Sequence, residues 1–241
     1  MAAAREKDRT KDWKDDTKKP EAKKPEPKKP ANPLGDPDVI SGIKRGEPMD
    51  RTAANEGHVN PDYGKLPGST DNCQSCVVAF EARLRGYDVE ANLRDRNNQK
   101  QTALAQDLTR AWIDPTTGKH PEALQNDQNK VRTSKQTERW LEDNVKQGER
   151  YNFAHGWKGT NGMSGHIVSV DRDSNGSLRI YDPQTGETHS GAGVKKYLSN
   201  VRMTYSIKTY WGSTLFPRGR LLRVDNLRLD DSFANAVLKG E

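Results

Sequence analysis

The sequence predicts an α+β domain, because amphipathic helical repeats fill its first part, period-two apolar runs fill its last part, and a Lys/Glu/Pro-rich arm precedes both. Expected boundaries are residues 1–65 for the arm, 66–228 for the folded domain and 229–241 for a C-terminal tail. Composition agrees with this division. Hydrophobic residues are 31% of the 241, too few to fill the whole chain with core. A folded segment of roughly 160 residues is nevertheless long enough for one genuine core.

The arm is read from its chemistry. Nine of the 13 prolines fall by position 67, and the run KKPEAKKPEPKKP is low in complexity, so the segment favours extended conformers and cannot bury enough surface to offset its ordering entropy. It is expected to be disordered. Residues 1–30 hold 11 Lys/Arg and 7 Asp/Glu, so four of the six net positive charges belong to this tail. The nearly neutral remainder gives no sequence-wide case for nucleic-acid binding by the folded domain. The arm reads as a tether to an acidic partner or an assembly, or as a solvated linker. No stretch approaches the roughly 20 apolar residues of a membrane helix, and the charged N-terminus lacks an apolar h-region. A soluble chain with neither membrane span nor Sec-type signal is expected.

The folded elements follow in order. Ser69-Thr70-Asp71-Asn72 offers capping residues ahead of Cys73-Gln-Ser-Cys-Val-Val-Ala-Phe-Glu-Ala-Arg-Leu-Arg85, and Gly86 closes that helix. Cys73, Val77, Phe80 and Leu84 recur at helical spacing, while Cys76 lies on a neighbouring stripe with Ala79 and Arg83. Two more helical patterns run from about Thr102 to Trp112 and from Thr133 to about Lys146, the second with Trp140, Leu141 and Val145 facing the core. Strands are then expected at 150–154, 166–170, 177–182, 203–208 and 221–224, with Asp173-Ser-Asn-Gly176 turning the second into the third.

The two cysteines carry the first chemical signal. Two are too few for a disulfide scaffold, and a zinc site lacks a second Cys pair or a suitably spaced His pair. A redox Cys-x-x-Cys would need a strand before it, where Gly64-Lys-Leu-Pro-Gly-Ser-Thr reads as loop. At a helix start, however, exposed N–H groups and the dipole favour a thiolate, which makes Cys73 a candidate nucleophile. Such a thiol needs a His base and a group to orient it. His58 lies in the arm and His120 and His189 in loop-like sequence, leaving His155 and His166.

His166 opens a strand whose hairpin partner ends in Asp182. A three-residue loop over 173–175 pairs Arg172 with Gly176 and sets His166 opposite Asp182; a two-residue Asn175-Gly176 turn faces His166 to Thr185 and sends Asp182 to the other side. The triad requires the longer loop. Plainer readings stand beside it: a strand His is often structural, and Asp182-Pro-Gln-Thr-Gly186 has a counterpart in Asp114-Pro-Thr-Thr-Gly118, so the motif reads equally as a recurring turn.

The run DNCQSCVVAFEARLRGYDVEA, with GHIVSV and IYDPQTG, resembles the papain-fold toxin family of protein glutamine deamidases, found in polymorphic toxins and as a terminal domain of phage minor head proteins. The likeness spans roughly Asn60 to Asn226. It implies a papain-like cysteine hydrolase fold, with a helical part carrying the nucleophile followed by antiparallel sheet, and a triad of Cys73, His166 and Asp182. Asn72 and the Cys73 N–H are the candidate oxyanion donors, and Gln184 a lining or orienting residue. Cys76 is a departure to weigh. The implied reaction is deamidation of a reactive glutamine on a target protein, without metal or organic cofactor. A phage head or toxin-delivery assembly is the implied partner of the arm, and virion association or delivery into a target cell the implied location. A peptidase or transglutaminase on the same triad, or an inert virion structural or cargo module, are the alternatives.

Overall fold

The computed structural model describes residues 40–159, 162–210 and 212–240. Its helices are α1 (Arg51–Asn55), α2 (Cys73–Leu84), α3 (Gln99–Gln106), α4 (Ser134–Asn144), α5 (Ala192–Leu198) and α6 (Asp231–Val237). Short strands β1 (Val89–Ala91), β2 (Trp112–Ile113) and β3 (Leu124–Gln125) lie between the helices. The sheet-forming part follows as β4 (Tyr151–Gly159), β5 (Gly162–Arg172), β6 (Leu178–Asp182), β7 (Glu187–Ser190) and β8 (Val201–Arg202). The last strands are β9 (Thr204–Thr209), β10 (Gly212–Pro217), β11 (Arg220–Arg223), β12 (Arg228–Leu229) and β13 (Leu238–Gly240). The main sheet runs β3-β11-β4-β5-β6-β7 with antiparallel neighbours, and β8 also pairs with β4. Helices first and antiparallel sheet second is the expected α+β order.

Two apolar clusters flank this sheet. Ile167, Tyr181 and Leu222 join the α2 residues Val77, Val78 and Phe80 in one, while Val168, Val170 and Ile180 join Leu141 of α4 and Val194 and Leu198 of α5 in the other. The split between Ile167 and Val168 is the period-two alternation of a strand covered on both faces. Helix α2 is correspondingly buried almost all round. Its end obeys the glycine rule: Gly86 has φ of 99°, the Tyr87 N–H bonds the Ala82 carbonyl at 3.1 Å, and a Cβ at residue 86 would stand 2.4 Å from the Gly46 oxygen.

The folded body exceeds the expected 66–228 at both ends. Ile40, Ala54, Val59 and Asn60 are buried, and the Ile40 N–H bonds the Tyr87 hydroxyl at 2.8 Å. Past 228, β13 pairs with β1, and Phe233, Ala234, Val237 and Leu238 enter the α2 core. Both segments are apolar only at the few positions that touch the core, so their averages read as arm and tail. Residues 1–39 of the expected arm lie outside the described residues. The pattern expected to be helical over 102–112 is divided: Asp107 leaves the helical region at φ of −144°, its side chain caps Thr109, and a 3₁₀ turn over Leu108–Ala111 follows α3.

Glu81 of α2 sits in the interior at 2% exposure. Burial pushes its carboxyl up, but Arg85 and Arg150 outweigh burial and hold it below the ordinary value. Its oxygens accept from Arg85 at 2.9 and 3.0 Å and from Arg150 at 2.7 and 2.8 Å. Glu81→Ala removes the buried carboxylate that Arg85 and Arg150 share, so urea unfolding should report a loss of about 3–5 kcal/mol. An unchanged midpoint would contradict this role.

Candidate active site

Cys73 is the first residue of α2 and is half-buried, whereas Cys76, one turn on, is fully buried; neither forms a disulfide. Burial, then the neighbouring Cys73 and Asp182, push the Cys76 thiol well above its ordinary value. Cys76 is therefore a packed, protonated thiol, and Cys73 is the one that reaches the cavity.

The β5–β6 register differs from both expected forms. Arg172 pairs with Leu178 and Ser169 with Tyr181, because the Asp173 N–H bonds the Ser177 carbonyl at 2.9 Å and its carboxylate accepts from the Asn175 and Ser177 N–H groups, which moves the three-residue loop one position along to 174–176. His166 is therefore not directly opposite Asp182. The offset from the expected three-residue form is even, so the two side chains still share a face and meet on the diagonal. His166 Nε2 bonds Asp182 Oδ2 at 2.8 Å. Cys73 lies close enough to the ring to raise its pKa, and with Nε2 taken by Asp182 the nitrogen left to face the thiol is Nδ1. Burial alone would lower the ring's pKa, but the Asp182 bond, the neighbouring Cys73 and their charges overcome it and raise it to about 10. All three sequence-predicted residues are brought together.

Asp182 also makes its turn. The Gly186 N–H bonds the Asp182 carbonyl at 2.8 Å, as Gly118 bonds Asp114 at 2.8 Å. Both glycines have positive φ, 79° and 70°. The recurring-turn reading and the His-partner reading are both correct for this residue.

His155 is the direct cross-strand partner of His166, with ring centroids 5.8 Å apart. Its Nδ1 lies 2.9 Å from the Gly156 carbonyl and its Nε2 3.0 Å from the Tyr197 hydroxyl. A carbonyl can only accept, so Nδ1 carries the proton and Nε2 accepts from Tyr197. Burial and the adjacent His166 lower the His155 pKa to about 3, so the ring stays neutral. Trp157, 5.8 Å from His166, completes an aromatic surround. Tyr197 comes from α5, which was not anticipated; Val194, Tyr197 and Leu198 at helical spacing were its signal. His189, expected in a loop, is on β7 and lines the cavity.

The oxyanion assignment of Asn72 is corrected by its bonds. Asn72 is 1% exposed, and its Nδ2 donates to Asn60 Oδ1 and to the Asn92 carbonyl, each at 3.2 Å. Both N–H donors are occupied, and Asn72 does not line the cavity. Gln184 does line it. Its Nε2 donates to Asn72 Oδ1 at 3.2 Å, and its backbone N–H donates to Asp182 Oδ1 at 3.1 Å. One of two amide N–H groups on Gln184 thus remains for a ligand.

The cavity encloses about 790 Å³ beside Cys73, His166, Asp182 and Gln184, with Trp157 and Tyr63 at its walls. Among the described residues no cluster of three His, Cys, Asp or Glu could hold a metal, and no helix is long and apolar enough to cross a membrane. Residues 71–187 match the family model described as papain fold toxin 1, glutamine deamidase. The match opens two residues before Cys73 and closes just beyond the Asp182 turn. No curated protein and no solved structure matches the chain.

Proposed function

We propose, from the premise that residues 71–187 belong to the papain-fold toxin, glutamine deamidase family, that this protein is a cysteine amidohydrolase converting glutamine side chains of a target protein to glutamate. The observation that carries the reading is the His166–Asp182 bond at 2.8 Å with Cys73 beside that ring on the wall of the same cavity.

In this reading Cys73 Sγ, its proton held by His166, attacks the carboxamide carbon of the glutamine. The tetrahedral oxyanion is held by the Cys73 backbone N–H and the remaining Gln184 N–H. The C–N bond breaks as His166 protonates the departing ammonia, leaving a thioester. Water, deprotonated by His166, then hydrolyses the thioester to glutamate and frees the thiol. Asp182 keeps the ring oriented and stabilises its protonated form throughout.

The test is incubation with glutamine-containing proteins while ammonia release and intact mass are followed. Deamidation raises the target by about one mass unit per site and leaves its backbone whole. Backbone cleavage or cross-linked products would replace this reading by a peptidase or a transglutaminase. Gln184→Ala should lower kcat by roughly 10²–10³-fold, the usual effect of one oxyanion donor. An unaltered kcat would remove Gln184 from that role.

A further inference from the structure

We propose that Asn55 and Asn60, which precede α2, are positioning residues that clamp the turn carrying Asp182 against His166 and Cys73. The inference deepens the deamidase reading and rests on it. Asn55 is 1% exposed, and its Nδ2 donates to the Gly186 carbonyl at 3.0 Å, the Glu187 carbonyl at 3.2 Å and Thr188 Oγ1 at 3.1 Å. Its Oδ1 accepts nothing from the described residues, so all its bonding is directed at this turn. Asn60 Nδ2 donates to the Gln184 carbonyl at 3.0 Å, the Ser69 carbonyl at 2.9 Å and Asn72 Oδ1 at 3.3 Å. Residues 184 and 186–188 are thus held from outside by two buried carboxamides.

The connection reaches both reacting ends. Asn72, bonded reciprocally to Asn60, is the residue before Cys73, and Gln184, bonded to Asn72, aims the Asp182 carboxylate with its own N–H. A continuous set of hydrogen bonds, its last link the Gln184 backbone N–H, therefore runs from the start of the nucleophile helix to the acid. Burying carboxamides is costly unless each is bonded, and apolar side chains would cover a turn without that requirement. What the amides add is direction. A displacement near 1 Å among reacting groups can cost about 10²-fold in rate.

The groups facing His166 are Cys73 from α2, Asp182 from β6, and neutral His155 and Trp157 from β4. The test is an NMR titration of the His166 ring in the full chain, with the rate of Cys73 alkylation by iodoacetamide at pH 7 and the melting temperature measured in parallel. In Asn55→Ala and Asn60→Ala the His166 midpoint should fall by about one unit or more and alkylation should slow by roughly tenfold. Lower melting temperatures with unchanged midpoint and alkylation would make both residues merely structural and overturn the clamp, leaving the deamidase reading intact. A wild-type ring that titrates normally beside an unreactive Cys73 would instead remove the deamidase reading and the clamp with it. Should Asn60→Ala fail to fold, Asn55→Ala decides alone, since its bonds reach only the turn.

Discussion

Cys73→Ala is expected to abolish deamidation, a fall of roughly 10⁴-fold or more, because no other described thiol can reach the cavity. Cys76→Ala is the informative companion. Cys76 has no exposed surface, and burial keeps its thiol protonated, so its removal should leave kcat within a few-fold and mainly lower stability by about 1 kcal/mol. Ammonia release by both variants, with thermal melting alongside, separates the two cysteines. Retained activity in Cys73→Ala with loss in Cys76→Ala would reverse the assignment. The difference between the thiols arises within a single helical turn: residue 73 opens α2 at the cavity, while residue 76 turns into the core between the sheet and α6.

That distinction was only half legible in the chain: the helix start marked Cys73 as the candidate nucleophile, but helical spacing put Cys73 on the apolar stripe with Val77, Phe80 and Leu84 and left Cys76, the fully buried thiol, on a neighbouring one. The pairing of His166 with Asp182 was legible for a firmer reason. A two-residue change of register leaves side chains on their original face, so the hairpin tolerated an error in the placement of its loop that a one-residue change of register would not. Asn72 is a different case. Its position beside the nucleophile suggested an oxyanion donor, but its destination depends on Asn60 and Asn92, which are distant neighbours supplied by tertiary packing. Asn55 and Asn60 were hidden for the same cause: in Glu/Asp/Pro-rich sequence a few buried amides leave no periodic mark, and only the turn they bond gives them meaning. Helix α5 escaped notice because it starts at Gly191, with φ of 51° and no side-chain cap.

Asp182→Asn should move the alkaline limit of activity downward and reduce kcat at pH 7.5 by roughly 10²–10⁴-fold. In the native protein burial lowers the His166 pKa, but the Asp182 bond, the nearby Cys73 and their charges raise it to about 10, so the ring keeps the proton it must give to ammonia. Asparagine can still accept from Nε2 but carries no charge, and burial then pulls the ring back toward or below its ordinary value near 6.5. The stability consequence has a definite sign. A ring whose folded pKa is raised stabilises the fold fully below the unfolded value of about 6.5, and that contribution is lost as pH rises through about 10. The melting-temperature gap between native protein and Asp182→Asn should therefore be wide at pH 6 and narrow steadily toward pH 10. A gap independent of pH across that interval would mean that Asp182 holds its turn through Gln184 and Gly186 but does not hold the proton on His166.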